Sequence, residues 1–201
     1  MISAVVLAAG LSRRMGRPKQ LLRLGDKTML EHVVDNIMQT DVEETIVVIG
    51  AYQQEIADLL SKYDLKCVFN ANYSGGQGTS VAVGANAVDI ESSGILYATA
   101  DQPFLSPDYL NKMITEFKNT NPLILKPAVG MPAIFNSSLR PELITLSGDT
   151  GGKQLMEKYW EKVVILPGCP SIMTMDVDTE EDYERVKKLW DKLVRSKLLK
   201  V

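Results

Sequence analysis

Two stretches, Ile2 to Leu7 and Thr45 to Ile49, are nearly continuous runs of β-branched and other apolar residues. Runs of that kind suit strands covered on both faces, which is how parallel strands sit beneath helices. Between them Met29, Leu30, Val33, Val34, Ile37 and Met38 recur at helical spacing. Gln53 to Tyr63 and Ser80 to Val88 read as further helices, and Leu65 to Phe69 and Ile95 to Thr99 as weaker strands. The alternation predicts an α/β fold in three layers, a mostly parallel sheet joined by right-handed crossovers.

The second half continues with more interruptions. Helices are expected over Pro107 to Lys118, Gly152 to Glu161 and from about Thr179, with apolar pieces at Leu123 to Leu125, Pro132 to Phe135 and Val163 to Leu166. Proline cannot donate to a ladder, so Met131-Pro132-Ala133-Ile134-Phe135 is expected at a sheet edge. The 201 residues, 45% hydrophobic and 23% charged, suffice for one well-buried core, and a single domain over 1–201 is expected.

Lys and Arg number 22 against 25 Asp and Glu, a net charge of -3, so no overall field draws nucleic acid or anionic lipid. The apolar run from Ala4 to Leu11 is far below the ~20 residues of a membrane span. Cys67 and Cys169 lack metal-ligand spacing, and Met1 leads into a strand rather than a signal peptide, which predicts a reduced, cytoplasmic setting. The expected partners are small molecules, with neither nucleic acid nor membrane among them.

Open α/β sheets bind ligands beyond the carboxyl ends of their strands. The stretch LAAGLSRRMGRPKQLL, residues 7 to 22, occupies that position after the first strand. Ala8, Ala9 and Gly10 are small enough for backbone N–H groups to approach an anion, and Arg14 and Lys19 supply a planar fork and a point charge. The spelling is neither GxxxxGK[ST] nor GxGxxG. On these residues alone a solvated basic loop is an equal reading.

Asp101 follows an apolar strand and precedes Gln102-Pro103. It suits either a turn or a Mg²⁺ on triphosphate, which takes only one or two protein carboxylates. Asp178 precedes Thr179-Glu180-Glu181-Asp182, a helix-start spacing in which Asp178 or Thr179 caps. In Ser147 to Gly152 a glycine-rich turn feeds a helix whose N–H groups can hold an anion. His32, between Glu31 and Val33, reads as a packing or surface residue, and Met113 and Met156 as core filling. The last helix sets Lys187, Lys188, Lys192, Arg195, Lys197 and Lys200 around Leu189, Trp190, Leu193, Val194, Leu198 and Leu199. Such a helix is expected to pack its apolar stripe on the domain rather than on a membrane or partner.

The ordered stretch at 7 to 22 resembles the LAAGxSxRMGxxKxLL signature of Rossmann-like nucleotidyltransferases, which join a nucleoside monophosphate from an NTP to a phosphorylated acceptor and release pyrophosphate. Within that superfamily the chain is most similar to the molybdenum cofactor cytidylyltransferases. GGQGTSVAVGAN (75 to 86), TADQPFLSP (99 to 107), GMPAIFNSSLRPELITLSGDTGGKQLM (130 to 156) and DVDTEEDYERV (176 to 186) extend the likeness over almost the whole chain. Gly152-Lys153 stands where many relatives have Ala-Arg, and Met131 where His is commoner.

The resemblance implies that CTP is held by Leu7, Ala8, Ala9, Gly10, Ser12, Arg14, Lys19, Gly78, Thr79 and Ser80. It implies Mg²⁺ on Asp101 with a contribution from the Asp176/Asp178 pair, Asp178 above all. Arg14, Lys19 and Asp101 would carry the chemistry. Gly148, Asp149, Gly151 and Gly152 would face the acceptor, molybdenum-loaded molybdopterin, with residues ~1–105 as nucleotide half and ~106–201 as acceptor half. The product would pass to a molybdenum hydroxylase or its chaperone. Ala9 implies CTP, since guanylyl relatives carry Ala-Gly-Gly and a methyl would crowd a purine. Methylerythritol-phosphate cytidylyltransferase is the nearest rival, then a sugar-phosphate nucleotidyltransferase, and a non-catalytic nucleotide-binding chaperone is the alternative of another class.

Overall fold

A computed structural model describes residues 1–196. Lys197, Leu198, Leu199 and Lys200 of the predicted last helix lie outside the described residues. The strands are β1 (Ile2–Ala8), β2 (Arg23–Leu24), β3 (Lys27–Thr28), β4 (Glu44–Ile49), β5 (Lys66–Phe69), β6 (Gly94–Thr99), β7 (Ile124–Lys126), β8 (Ala133–Asn136) and β9 (Val163–Ile165). The helices are α1 (Met29–Met38), α2 (Gln53–Leu60), α3 (Gln77–Ala87), α4 (Pro107–Thr120), α5 (Arg140–Leu143), α6 (Lys153–Lys158) and α7 (Glu180–Arg195).

The main sheet runs β5-β4-β1-β6-β8-β7-β9, with β2 and β3 forming a separate short ribbon. β4 and β6 flank β1 in parallel, so the most apolar strand lies between neighbours on both sides. One apolar layer packs Leu30, Val33, Ile56, Leu110, Met113 and Phe117 from α1, α2 and α4 on one face. The other packs Val81, Ala85, Leu143 and Leu155 from α3, α5 and α6 on the opposite face. This is the expected three-layer, mostly parallel, Rossmann-like nucleotidyltransferase architecture.

The edge placement of the Pro132 strand is corrected. β8 lies inside the sheet, antiparallel to β6 on one side and β7 on the other. Its ladder begins at Ala133 opposite Tyr97, so Pro132 precedes the strand and its missing N–H costs no ladder bond. The edges are β5 and β9. The helix expected over 152–161 is also shorter, since α6 stops at Lys158 and gives way to a 3₁₀ turn over Trp160–Lys162.

Two capping boxes fix helix starts. Thr28 accepts from the Glu31 N–H while the Glu31 carboxylate accepts from the Thr28 N–H, which sets the entry of α1. Thr179 and Asp182 repeat the device at α7. The apolar stripe of α7 does pack on the domain: Tyr183, Val186 and Trp190 are buried with Leu24, Met29 and Phe104. His32 joins that cluster, its ring 4.2 Å from that of Trp190 and its Nε2 2.8 Å from the Leu24 carbonyl oxygen.

Candidate active site

At the carboxyl end of β1 the chain leaves the sheet through Ala9 to Ser12, and Ser12 turns into the left-handed region at φ 51°. A cleft of about 360 Å³ opens above this turn. Gly10, Leu11 and Ser12 line it, and among the described residues their backbone N–H groups donate to no protein acceptor. Unpaired donors around a concave turn make an anion nest. Arg13 and Arg14 stand at its rim.

Lys19 sits where the charges converge. Its ammonium donates to Asp101 Oδ2 at 2.6 Å and to Asp178 Oδ1 at 2.7 Å, while Arg14 reaches Asp178 Oδ2 at 2.8 Å. Burial works against the Lys19 charge, but the two carboxylates outweigh it and hold the ammonium above its ordinary pKa. Burial likewise pushes the Asp178 carboxyl up, and the bonds from Lys19 and Arg14 overcome it and hold the group below the usual carboxylate range. Neighbouring Asp176 goes the other way, because the pull of Lys19 on it is weaker. Burial and then the Asp101 charge raise it.

Asp101 Oδ1 is buried and meets no hydrogen-bond donor. A buried carboxylate oxygen without a partner is costly unless something electropositive is to reach it. Thr179 does the capping of α7, which leaves the Asp178 side chain free to face Lys19. Sequence spacing left that choice open, and the structure resolves it.

Leu7, Ala9, Gly10, Ser12, Arg14, Lys19, Asp101, Asp149 and Asp178 therefore come together around one cleft. Ala8 is buried beneath it, its carbonyl accepting from Gln20. Gly78, Thr79 and Ser80 do not line the cleft. The hydroxyls of Thr79 and Ser80 turn inward to Asn70 Nδ2 at 2.9 and 3.0 Å, and Gly78 donates to the Gly148 carbonyl at 2.8 Å. Gly76 and Gln77, with Tyr73 and Ser74, take that place at the wall.

Gly76 has φ 97°, and a Cβ there would fall 2.3 Å from the Gly148 backbone carbon, so the segments before α3 and before α6 touch through bare backbone. Gly148 serves that contact, while Asp149 and Gly152 line a second cleft and Gly151 packs on Gln77. The Ala9 methyl packs on Gly50, where a Cβ would sit 2.8 Å away, and Ala9 is 4% exposed. Ala9 thus lines the cleft with little exposed surface.

The second cleft, about 800 Å³, shares Leu7, Gln77 and Asp149 with the first. Its further walls include Tyr97, Met131, Phe135, Met156 and Trp160, with Lys126 and Lys153 as its cations. Burial lowers the pKa of Lys126, whose ammonium donates to the Pro127 carbonyl at 2.7 Å. Of the residues expected at the acceptor, Asp149 and Gly152 line this cleft; sequence reasoning missed its other walls, because they are scattered over α3, β6, β8, α6 and β9. It also missed Gln20, a polar residue before a leucine pair with no spacing to mark it.

Residues 4–163 match the MobA-like NTP transferase domain. The chain belongs to the MobA-like NTP transferase family. It is a nucleotidyltransferase, acting on an NTP and a small-molecule acceptor. It is 30% identical to nicotine blue oxidoreductase of Paenarthrobacter nicotinovorans over 92% of this chain and 96% of that one. It is also 30% identical to the purine catabolism protein PucB of Bacillus subtilis, over 92% and 95%. Among solved structures, the Rv0371c homologue from Mycobacterium sp. strain JC1 superposes with a TM-score of 0.84 at 29% identity, covering 96% of this chain and 98% of that one. Mycobacterium tuberculosis Rv0371c in complex with manganese gives 0.77 at 28% identity, over 93% and 98%. Among the described residues no helix is long and apolar enough to cross a membrane.

Proposed function

We propose that the chain transfers a nucleoside monophosphate from an NTP to the phosphate of a phosphorylated acceptor and releases pyrophosphate. The observation that carries this is Lys19 held between Asp101 and Asp178 at the foot of a loop with unpaired N–H groups. The loop offers donors to a triphosphate, and the carboxylate pair offers hard oxygens to a cation. A Mg²⁺ on triphosphate needs only one or two protein carboxylates, and the unpartnered Asp101 Oδ1 suits it. Among the described residues no cluster of three or more ligating side chains exists, so the remaining ligands would come from phosphate and water. Asp101 and Asp178 would hold the ion, which when bound neutralises phosphate charge. The manganese complex of the mycobacterial relative supports a divalent cation in this fold.

In the step itself an acceptor phosphate oxygen bonds to the α-phosphorus, the bond to the bridging oxygen breaks, and pyrophosphate leaves with that electron pair. No base is required, since a phosphate monoester with second pKa about 6 is largely dianionic near neutrality. Lys19, Arg14 and the Gly10–Ser12 amides face the departing pyrophosphate, so catalysis is positioning and charge neutralisation. The single histidine, His32, lies against Trp190 and takes no part.

The second cleft holds the acceptor. Its size and apolar, aromatic walls favour a phosphate carried on a bulky planar body over a small polyol phosphate. That supports molybdopterin over methylerythritol phosphate as acceptor, while CTP as donor rests on the Ala8-Ala9-Gly10 resemblance. Pyrophosphate release is measured with Mg²⁺ and CTP or GTP, and with molybdenum-loaded molybdopterin or methylerythritol phosphate in separate arms. Release with CTP and the pterin alone is expected. Release with methylerythritol phosphate overturns the acceptor, a preference for GTP overturns the donor, and silence in every arm overturns phosphate-acceptor transfer in favour of a nucleotide-binding chaperone.

A further inference from the structure

Gln20 is 2% exposed, a polar side chain sunk beneath the anion loop. Its amide nitrogen donates to the Ala8 carbonyl at 3.1 Å and to the Gly10 carbonyl at 2.9 Å. Its amide oxygen accepts from Ser12 Oγ at 3.2 Å, and that same hydroxyl accepts from the Lys19 N–H at 3.1 Å. One side chain thus ties together both ends of the turn and the residue bearing the central cation.

In a trans peptide the N–H points opposite to the C=O across the same bond. A carbonyl of Gly10 pulled down onto Gln20 therefore turns the N–H of Leu11 up, away from Gln20, and Leu11 lines the cleft. The Ser12 link closes the loop on Lys19, so the amides and the ammonium keep a fixed relation. Ser12 at φ 51° is an uncommon backbone state for a side-chain-bearing residue and persists only when its surroundings hold it. The Gln20 and Lys19 bonds to its hydroxyl supply that hold together with the Met15 and Gly16 N–H bonds to its carbonyl.

We infer that Gln20 is the positioning residue of the anion loop: at the floor of the cleft its amide is spent on Ala8, Gly10 and Ser12, and through them it orients the amides and Lys19 that face the phosphates. The inference rests on the proposed reading of the first cleft as the triphosphate site. A merely structural glutamine would affect melting and leave the folded protein's affinity for phosphate alone. A positioning glutamine sets that affinity directly.

The test measures binding of inorganic tripolyphosphate with Mg²⁺ by calorimetry, well below each protein's thermal midpoint, for the wild type, Gln20→Met, Gln20→Glu and Ser12→Ala. Methionine keeps the volume and removes all three hydrogen bonds. Gln20→Met is expected to bind at least about tenfold more weakly, the equivalent of one or two modest hydrogen bonds' worth of preorganisation. Gln20→Glu binds more weakly still, because a carboxylate accepts where the two carbonyls need a donor. Ser12→Ala, which leaves the hold on Ala8 and Gly10 intact, is expected to show a smaller loss of severalfold. Affinity of folded Gln20→Met within twofold of the wild type overturns the inference. If Gln20→Met does not fold, Ser12→Ala within twofold of the wild type does so instead. Failure of the wild type to bind tripolyphosphate overturns the reading of the cleft and this inference together.

Discussion

Lys19 carries more of the site than any other side chain, because two carboxylates and the loop converge on one ammonium. At 15% exposure it is shielded enough that its neighbours, rather than water, set its charge. Lys19→Met removes the cation proposed to face pyrophosphate, and Asp101→Asn removes the carboxylate charge that pairs with it. Both are expected to lower kcat by about a hundredfold or more, the scale of losing one preorganised electrostatic contact. Thermal unfolding checks that each variant remains folded, and a rate within fivefold of the wild type removes the role assigned here. The basic residues of this loop were legible from their order after a strand. The pairing of Lys19 with both Asp101 and Asp178 was not, since 82 and 159 residues separate the partners and only the closed sheet brings them together. Gln20 escaped for a different reason: its role lies in hydrogen bonds to backbone carbonyls, which leave no pattern in the side chains around it.

Elements deliver these side chains through their ends. The Thr28 box starts α1 among residues that line neither cleft, whereas the Thr179 box starts α7 one residue after Asp178, which lines the first. Thr28→Ala and Thr179→Ala should each cost about 1 kcal/mol in urea unfolding, the usual worth of a cap. Their activities should part. Thr28→Ala is expected to retain its kcat/KM, and Thr179→Ala to lose severalfold of it as the Asp178 backbone loosens. Equal activity in the two variants would detach α7 from the site. Periodicity revealed the parallel strands and long helices, because burial on both faces or on one stripe leaves a repeating trace. It failed at β8 and α6. A proline one residue before the ladder looks like a proline inside it, and a 3₁₀ turn that follows a helix looks like the helix's own last turn.

At the scale of the molecule two clefts lie side by side over one sheet, sharing Leu7, Gln77 and Asp149. Trp160 belongs to the second alone and is 72% exposed, so the fold gains little from it. Trp160→Ala is expected to raise the acceptor KM at least fivefold while leaving the NTP KM and the thermal midpoint near their wild-type values. A parallel rise in both KM values would show that the clefts do not act separately. The division expected from the sequence, with one half for each substrate, is blurred by contacts. Asp149 and Asp178 from the second half join the first cleft, and Leu7, Val81 and Tyr97 from the first half wall the second. The shared boundary is nonetheless narrow. With the first cleft as the proposed nucleotide site and the second as the proposed acceptor site, a lineage could change its acceptor through single replacements on α6, β9 or the segment before β8, and every intermediate along that route would keep an intact nucleotide cradle for selection to act on.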